Sequence, residues 1–350
     1  MTQLERFYAA LKHKSSEKPL FYAEFVPSVL QRFCGFMGMD YGAITEKYGI
    51  FDPVYAGLPR EGAPPEAFAP FFRGEDMPDG AWINFLGVME IPCDTWHFTR
   101  YVSPGRNMTS LEEIKTIPLP VCRETGVADM AEAVEKAHAR GRAAVSWIGH
   151  MYEDAWQIRG YVPFLTDMLE KPEICEWLLD RILGENLKAG RAAARAGVDM
   201  LKIGDDVANQ RSLMFGAELW RRFMKPRWEH FISEVKKINP KVRVWYHSDG
   251  NIWELIPELI EIGVDVLNPV QPECLDVEQV KKEFGRHLVL DGCIGTQSLM
   301  PFGTPEDIKR EIRRLRSLFK DGGLILSPTH VLEPDVPPEN IKAFAEGCSG

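Results

Sequence analysis

The sequence has no pair of cysteines at metal-binding or redox spacing. Its seven cysteines are Cys34, Cys93, Cys122, Cys175, Cys274, Cys293 and Cys348. They are scattered and odd in number, which argues against a disulfide framework or a thiolate zinc knuckle. No apolar run approaches the roughly 20 residues of a membrane span. Residues 1–13 pattern as an amphipathic helix and lack the apolar centre of a signal peptide, so a cytoplasmic location is expected. Positive charge is in deficit, with 41 Lys and Arg against 51 Asp and Glu and a net charge of −10. That balance argues against nucleic acid or an anionic membrane as the main partner. It does not forbid an anionic small substrate, since a local pocket can oppose the net sign. There is no visible internal repeat and no low-complexity linker. No Gly-x-Gly-x-x-Gly follows a strand, which weighs against a dinucleotide-binding Rossmann domain.

What is present is a normal globular composition, 45% hydrophobic and 26% charged over 350 residues, enough to bury a large core. From about residue 140 the chain alternates short apolar runs with long amphipathic ones. The apolar runs are 143–148, 198–203, 242–246, 264–267, 287–290 and 324–326. They are rich in Val, Ile and Leu, as strands of a parallel sheet buried on both faces should be. Helical patterns lie between them at 172–197, 217–238, 252–262, 276–284 and 305–319. Thr304 followed by Pro305 and Asp307 is a helix start, and Gly263 and Gly322 stand where C-cap glycines belong. Such alternation means βαβ units. With one or two more strands near the N-terminus, best at 19–25, the count approaches eight and predicts a (β/α)8 TIM barrel over residues 1–350. The Pro-, Gly- and aromatic-rich stretch 51–106 breaks the rhythm. It reads as long N-terminal loops, with a hairpin, covering the barrel mouth.

In such a barrel, polar residues just after the strands face the active site. Four strand ends carry them. Run 242–246 leads into His247, Ser248 and Asp249; run 198–203 leads into Asp205 and Asp206. Run 324–326 leads into Thr329 and His330; run 143–148 leads into His150, with Glu153 just beyond. His247, Asp249 and His330 form an N,O,N set suited to a catalytic divalent metal, zinc first and non-haem iron second. The alternative is a simple turn at Asp249 with His247 as a hydrogen-bonded lining residue. Asp205 and Asp206 are adjacent, so in extended chain only one faces the pocket. That one would be a general base, ligand or anchor, or the pair would instead serve a helix N-cap. Glu153 is a pocket acid or a helix-start carboxylate. Trp147, His150, Tyr246 and Gln271 are the expected substrate-contacting residues, with the aromatics alternatively part of the core.

Several stretches together resemble the uroporphyrinogen decarboxylase superfamily. They are His247-Ser248-Asp249-Gly250-Asn251, Gly263 through Gln271, Phe284-Gly285, Pro301 through Glu306, Ser327-Pro328-Thr329-His330 and Val336 through Asn340. The likeness covers roughly residues 143–345 in the right order, and the superfamily is a (β/α)8 barrel. Its true decarboxylases grip tetrapyrrole carboxylates with N-terminal arginines. Here the segment 19–27 has no arginine and contains Glu24, with Arg32 the nearest. The cobamide-dependent methyltransferase branch binds zinc through a His-x-Cys pair and a distant Cys. His247, Asp249 and His330 fall at those three positions. The resemblance therefore implies a zinc-assisted transfer of methyl from a small O-methyl or other methylated compound to a corrinoid. The chain has no Asp-x-His-x-x-Gly motif, so the cobamide would ride on a separate corrinoid protein. Some O-demethylases of this kind use Glu-x14-Glu-x20-His for zinc, and Glu61, Asp76 and His97 repeat that spacing with Asp in the second place. The family also implies a homodimer. Two other readings are tetrapyrrole decarboxylation and a non-catalytic barrel that binds a tetrapyrrole or corrinoid.

Overall fold

The apolar runs form the staves of a barrel. In the computed structural model, which describes residues 1–93 and 98–350, eight strands follow one another around a ring. They are β1 (Leu20–Phe21), β2 (Val54–Tyr55), β3 (Ala144–His150), β4 (Met200–Gly204), β5 (Arg243–His247), β6 (Val266–Val270), β7 (Val289–Ile294) and β8 (Leu324–Pro328). Each strand from β2 to β8 pairs in parallel with the next, and β8 pairs with β1. Between β1 and β2 there is no ladder. The Phe51 N–H donates to the Phe21 carbonyl at 2.7 Å and links the two there. The fold is thus the expected (β/α)8 barrel, with a seam where its two shortest strands meet.

The interior of the lower barrel is apolar. Leu20, Val145, Met200, Val266, Val289 and Ile325 pack there, one from each of six strands, against Phe7, Ala10 and Leu11. Those last three belong to the N-terminal helix Gln3–Leu11, which plugs the bottom. Thr2 and Glu5 cap that helix reciprocally, the Glu5 N–H donating to Thr2 Oγ1 at 3.1 Å and the Thr2 N–H to Glu5 Oε2 at 2.7 Å. Asp199 fastens the same end. Its carboxylate accepts from the Ala144 N–H at 2.7 Å and contacts His138 Nε2 at 2.9 Å, and Tyr8 donates to it as well. Outside the strands, a larger apolar cluster holds helices such as Pro172–Ala196, which starts on Pro172 and ends at Gly197 in the left-handed conformation.

Two sequence expectations change in detail. The helical pattern 217–238 is two helices, Ala217–Phe223 and Lys225–Ile238, divided at Met224. Pro226 has no N–H to continue the first helix and suits the first turn of the second. The stretch 51–106 is not loop throughout. Val54–Tyr55 is a barrel strand, Pro65–Phe72 is a 3-10 helix, and Trp82–Ile83, Met89–Pro92 and Thr99–Val102 form an antiparallel meander. Proline and glycine density hid these strands, each two to four residues long. Among the described residues, no helix is long and apolar enough to cross a membrane.

The strand most relevant to function is β3. Val145, Ser146 and Trp147 stand opposite Met200, Leu201 and Lys202. One extra residue then intervenes, and Gly149 and His150 stand opposite Ile203 and Gly204. This is a β-bulge. Gly149 takes φ +118°, a conformation costly for other residues, and its bare Cα faces the Arg60 guanidinium. Without the bulge, a regular strand of the same sequence would place His150 one position further on, facing the other side of the sheet.

Candidate active site

Two rungs of inward-facing side chains line the upper barrel. In the lower rung Trp147, Lys202 and Trp245 lie side by side on β3, β4 and β5. In the upper rung the sequence is His150, Gly204 and His247. Gly204 is needed there because a Cβ would lie 2.7 Å from the His247 Cβ and carbonyl oxygen. Above and between these rungs opens a cavity of about 460 Å³, whose walls also include Tyr22, Glu24, Tyr55, Glu153, Asp206, Asn268 and His330. It stands at the C-terminal ends of the strands, where barrels of this kind carry their chemistry.

The upper rung gathers titratable groups. The ligand atoms of Asp206, His247 and Asp249 all lie within 4.8 Å of one another. His247 Nε2 is 3.6 Å from Asp206 Oδ1, and the Asp249 N–H donates to that same oxygen at 2.7 Å. On its other side His247 Nδ1 meets Asn268 Oδ1 at 2.7 Å, and its ring stacks on Trp245 at 5.6 Å. An amide oxygen only accepts, so Nδ1 carries the proton and Nε2 is free to accept or ligate. Burial alone would lower the His247 imidazole, but the Asp206 and Asp249 charges outweigh it and raise it. Burial also raises the Asp249 carboxyl. Its Oδ1 is buried with no hydrogen-bond partner. A buried carboxylate oxygen left without a donor, beside a free imidazole nitrogen and a second carboxylate, fits a divalent cation of the kind that takes N and O ligands.

His150 and Glu153 form the adjoining wall, the His150 ring 6.5 Å from that of His247. His150 Nδ1 is 2.7 Å from Glu153 Oε2 and 3.1 Å from the Gly204 carbonyl. Burial pulls the His150 imidazole down, yet the Glu153 hydrogen bond and charge overcome it and lift it to about 9. His150 is therefore a cation at neutral pH. Trp147 is 44% exposed and meets His150 edge-on at 5.1 Å, so it presents its ring to the cavity.

Other expected site residues stand elsewhere. Of the adjacent aspartates, Asp206 faces the cavity and Asp205 does not. Asp205 is fully buried, and its Oδ1 accepts from the N–H groups of Met151, Tyr152 and Glu153 at 2.7, 2.5 and 3.3 Å. Its Oδ2 accepts from Trp228 Nε1 at 3.0 Å. Asp205 thus caps helix Tyr152–Arg159, which follows the neighbouring strand, and burial pushes its carboxyl up to about 7. It has no free lone pair directed at a substrate. Tyr246 points out of the barrel, fully buried and 6.5 Å from the Trp228 ring. It alternates with the inward Trp245 and His247 and cannot touch a ligand in the cavity. Gln271 accepts from the Gly250 N–H at 3.2 Å and lines, with Asp249 and Phe98, an adjoining cavity of about 440 Å³ that shares His330 and Val331 with the first. His330 is exposed on the cavity rim, its Nδ1 3.2 Å from the Val331 carbonyl, and it lies outside the converging set, whose third member is Asp206. Of the alternative metal set, Glu61 pairs with Arg123, Asp76 is exposed, and His97 lies outside the described residues.

Sequence reasoning passed over Lys202, Trp245 and Asn268. The signal for Lys202 was a lysine inside an apolar strand run. Asn268 and Trp245 carried no such mark.

Residues 106–349 match the model of the family described as Uroporphyrinogen decarboxylase (URO-D). A uroporphyrinogen decarboxylase of Vesicomyosocius okutanii is 36% identical over 73 residues, 21% of this chain and 21% of that protein. One from Rickettsia felis is 24% identical over 153 residues, 44% of this chain and 42% of that protein. The chain thus aligns with well under half the length of these curated relatives. The solved structure of a methyltransferase from Methanosarcina mazei superimposes with a TM-score of 0.67 at 19% identity, covering 99% of this chain and 98% of that one. This likeness is one of fold.

Proposed function

Since the chain belongs to the uroporphyrinogen decarboxylase family, we propose that it is a metal-assisted methyltransferase of that family, passing methyl from a small methylated compound to a corrinoid on a separate protein. The observation that carries this reading is the convergence of Asp206, His247 and Asp249, with one buried Asp249 oxygen unpartnered. These three residues would hold the ion, and Asn268 would orient His247 for it. When bound, a divalent ion supplies Lewis acidity toward the heteroatom that carries the methyl group.

A reduced corrinoid, as the acceptor substrate, would take the methyl group, and the electron pair of the broken carbon–heteroatom bond would stay on the heteroatom. That atom then takes a proton. His150, kept cationic by Glu153 at 2.7 Å, is the proton source on the cavity wall. Trp147, Trp245 and Tyr55 give the substrate an apolar bed. Tetrapyrrole decarboxylation is less favoured, because Glu24, Glu153 and Asp206 outnumber Lys202 and His150 on the same walls, a poor match for a substrate with many carboxylates.

The test is metal content beside activity. Wild-type protein reconstituted with zinc should hold about one ion per chain, and Asp249→Ala and His247→Ala should lose it while keeping the fold by circular dichroism. The loaded enzyme should methylate free cob(I)alamin from a methoxylated compound. Undiminished metal content in both variants, or consumption of uroporphyrinogen in place of methyl transfer, would defeat the reading.

A further inference from the structure

The lower rung holds a lysine that methyl transfer, as described, does not use. Lys202 is 6% exposed and lines the cavity floor. Its Nζ lies 4.5 Å from the centroid of the Trp245 ring, 5.5 Å from that of Tyr22 and 5.7 Å from that of Tyr55. Three aromatic rings around one ammonium form a cation cage, occupied by the chain's own cation. The ammonium has three donors and makes one hydrogen bond, to Tyr55 Oη at 3.3 Å. The two nearby carboxylates do not satisfy it. Asp291 is already engaged, accepting from Tyr22 and Ser327 hydroxyls at 2.9 Å each and from Trp245 Nε1 at 2.6 Å. Glu24 approaches only to 3.9 Å, and its side chain is 53% exposed. The ammonium thus has one direct hydrogen bond and a loose pairing with a half-exposed Glu24, which leaves it donors for an anionic ligand in the cavity.

The geometry points to Lys202 as the anchor for an anionic group on the substrate, which we propose is a small aromatic carboxylate. The class follows from three features. The cage around Lys202 is full, so a quaternary ammonium donor finds a cation where its headgroup would sit. The walls beside it on the same rung are aromatic, formed by Trp147 and Trp245, whose rings stand edge to face 6.3 Å apart. The Lys202 rung and the His247 rung are two residues apart on adjacent strands, roughly 7 Å along the strand. That is about the reach of a benzene ring between substituents at opposite ends. A ring held by its carboxylate at Lys202 would present the opposite substituent to Asp206, His247 and Asp249. This assignment rests on the methyl-transfer reading for what happens at the upper rung, and on Lys202 alone for charge selection.

Binding tests it without metal or corrinoid. EDTA-treated protein is titrated with 4-methoxybenzoate, its neutral isostere 4-methoxybenzamide, and benzyltrimethylammonium, following the fluorescence of the cavity tryptophans. A charge-assisted hydrogen bond to a lysine corresponds to roughly ten- to hundredfold in affinity, so the benzoate should bind that much more tightly than the amide, and the ammonium weakest. Lys202→Met should bring the benzoate to the level of the amide and leave the amide unchanged. Glu24→Gln removes the competing carboxylate from an exposed position, so it should tighten the benzoate severalfold and leave the amide alone. Should Lys202→Met fail to fold, the wild-type charge series and Glu24→Gln decide. Equal binding of benzoate and amide by the wild type, no binding of the benzoate, or a charge preference that survives Lys202→Met overturns the assignment. Methyl transfer from neutral donors without anion preference would sink this inference and spare the reading above it. Anion preference without methyl transfer would do the reverse.

Discussion

Replacing Asp205 with alanine should cost the fold dearly and touch the chemistry only indirectly. The carboxylate serves four buried donors: three N–H groups at the start of helix Tyr152–Arg159 and the Trp228 indole. Each buried donor left without an acceptor costs about 1–3 kcal/mol, and the lost helix cap about 1 kcal/mol. Against this stands relief from burying a carboxyl that the interior raises to about 7. A net loss of about 3–4 kcal/mol follows, since the four bonds share one group and do not add in full. With an unfolding entropy of about 2.1 cal/mol/K per residue over 350 residues, that is a fall in Tm of roughly 5 °C. Asp205→Asn keeps one acceptor oxygen but turns an amide N–H₂ on a donor, so it should lose about half as much. Differential scanning fluorimetry of the two variants at pH 7.5, with metal content measured alongside, is sufficient. An alanine variant that melts like the wild type yet is inactive would refute the capping argument and return Asp205 to the reaction.

Two other perturbations separate the site from its support. Gly204→Ala places a Cβ 2.7 Å from His247 backbone and Cβ atoms; it should destabilise by about 1–3 kcal/mol and lower metal affinity by moving His247, so unaltered metal binding would show that β5 yields freely. For Glu153→Gln the readout is pH. The folded His150 imidazole titrates at about 9, above the ~6.5 of an unfolded one, so the pair's stabilisation is complete below about pH 6.5 and is lost as pH rises through about 9. On metal-free protein, the Tm advantage of the wild type over Glu153→Gln should therefore shrink across that interval, and a constant gap would contradict the pairing.

The barrel was legible because its later strands are short Val, Ile and Leu runs separated by capped amphipathic helices. A parallel sheet buried on both faces writes itself that way in sequence. β1 lies within the strand expected at 19–25 but is only two residues long, and β2, also two residues, is too short for periodicity to register. Strand ends are where the polar groups gather: His247, Asp206, His150 and Glu153 line one cavity, and Asp249 approaches His247 and Asp206 from the cavity beside it. Which neighbour faces inward was not legible in two places. Asp205 and Asp206 differ only by the pleat, and for Tyr246 the sequence leaves pocket and core both open, of which the alternation with inward Trp245 and His247 selects the core. His330 matched the position of a family ligand, yet its side chain turns to the backbone of the next residue. Lys202 was overlooked because its environment is made by Tyr22, Tyr55 and Trp245, far apart in the chain.

The bulge in β3 gives the site a dependence on parity. Trp147 and His150 are three apart in sequence, a spacing that a regular strand sends to opposite faces. Both face the cavity, opposite Lys202 and Gly204, because the ladder passes over the odd residue between Trp147 and Gly149. Straightening the strand with its sequence intact would carry His150 into the wall and away from Glu153, whereas deleting the odd residue would leave both rings inward on a regular ladder. Among relatives, a one-codon shortening at this place therefore conserves the wall, and loss of the bulge at constant length reverses it.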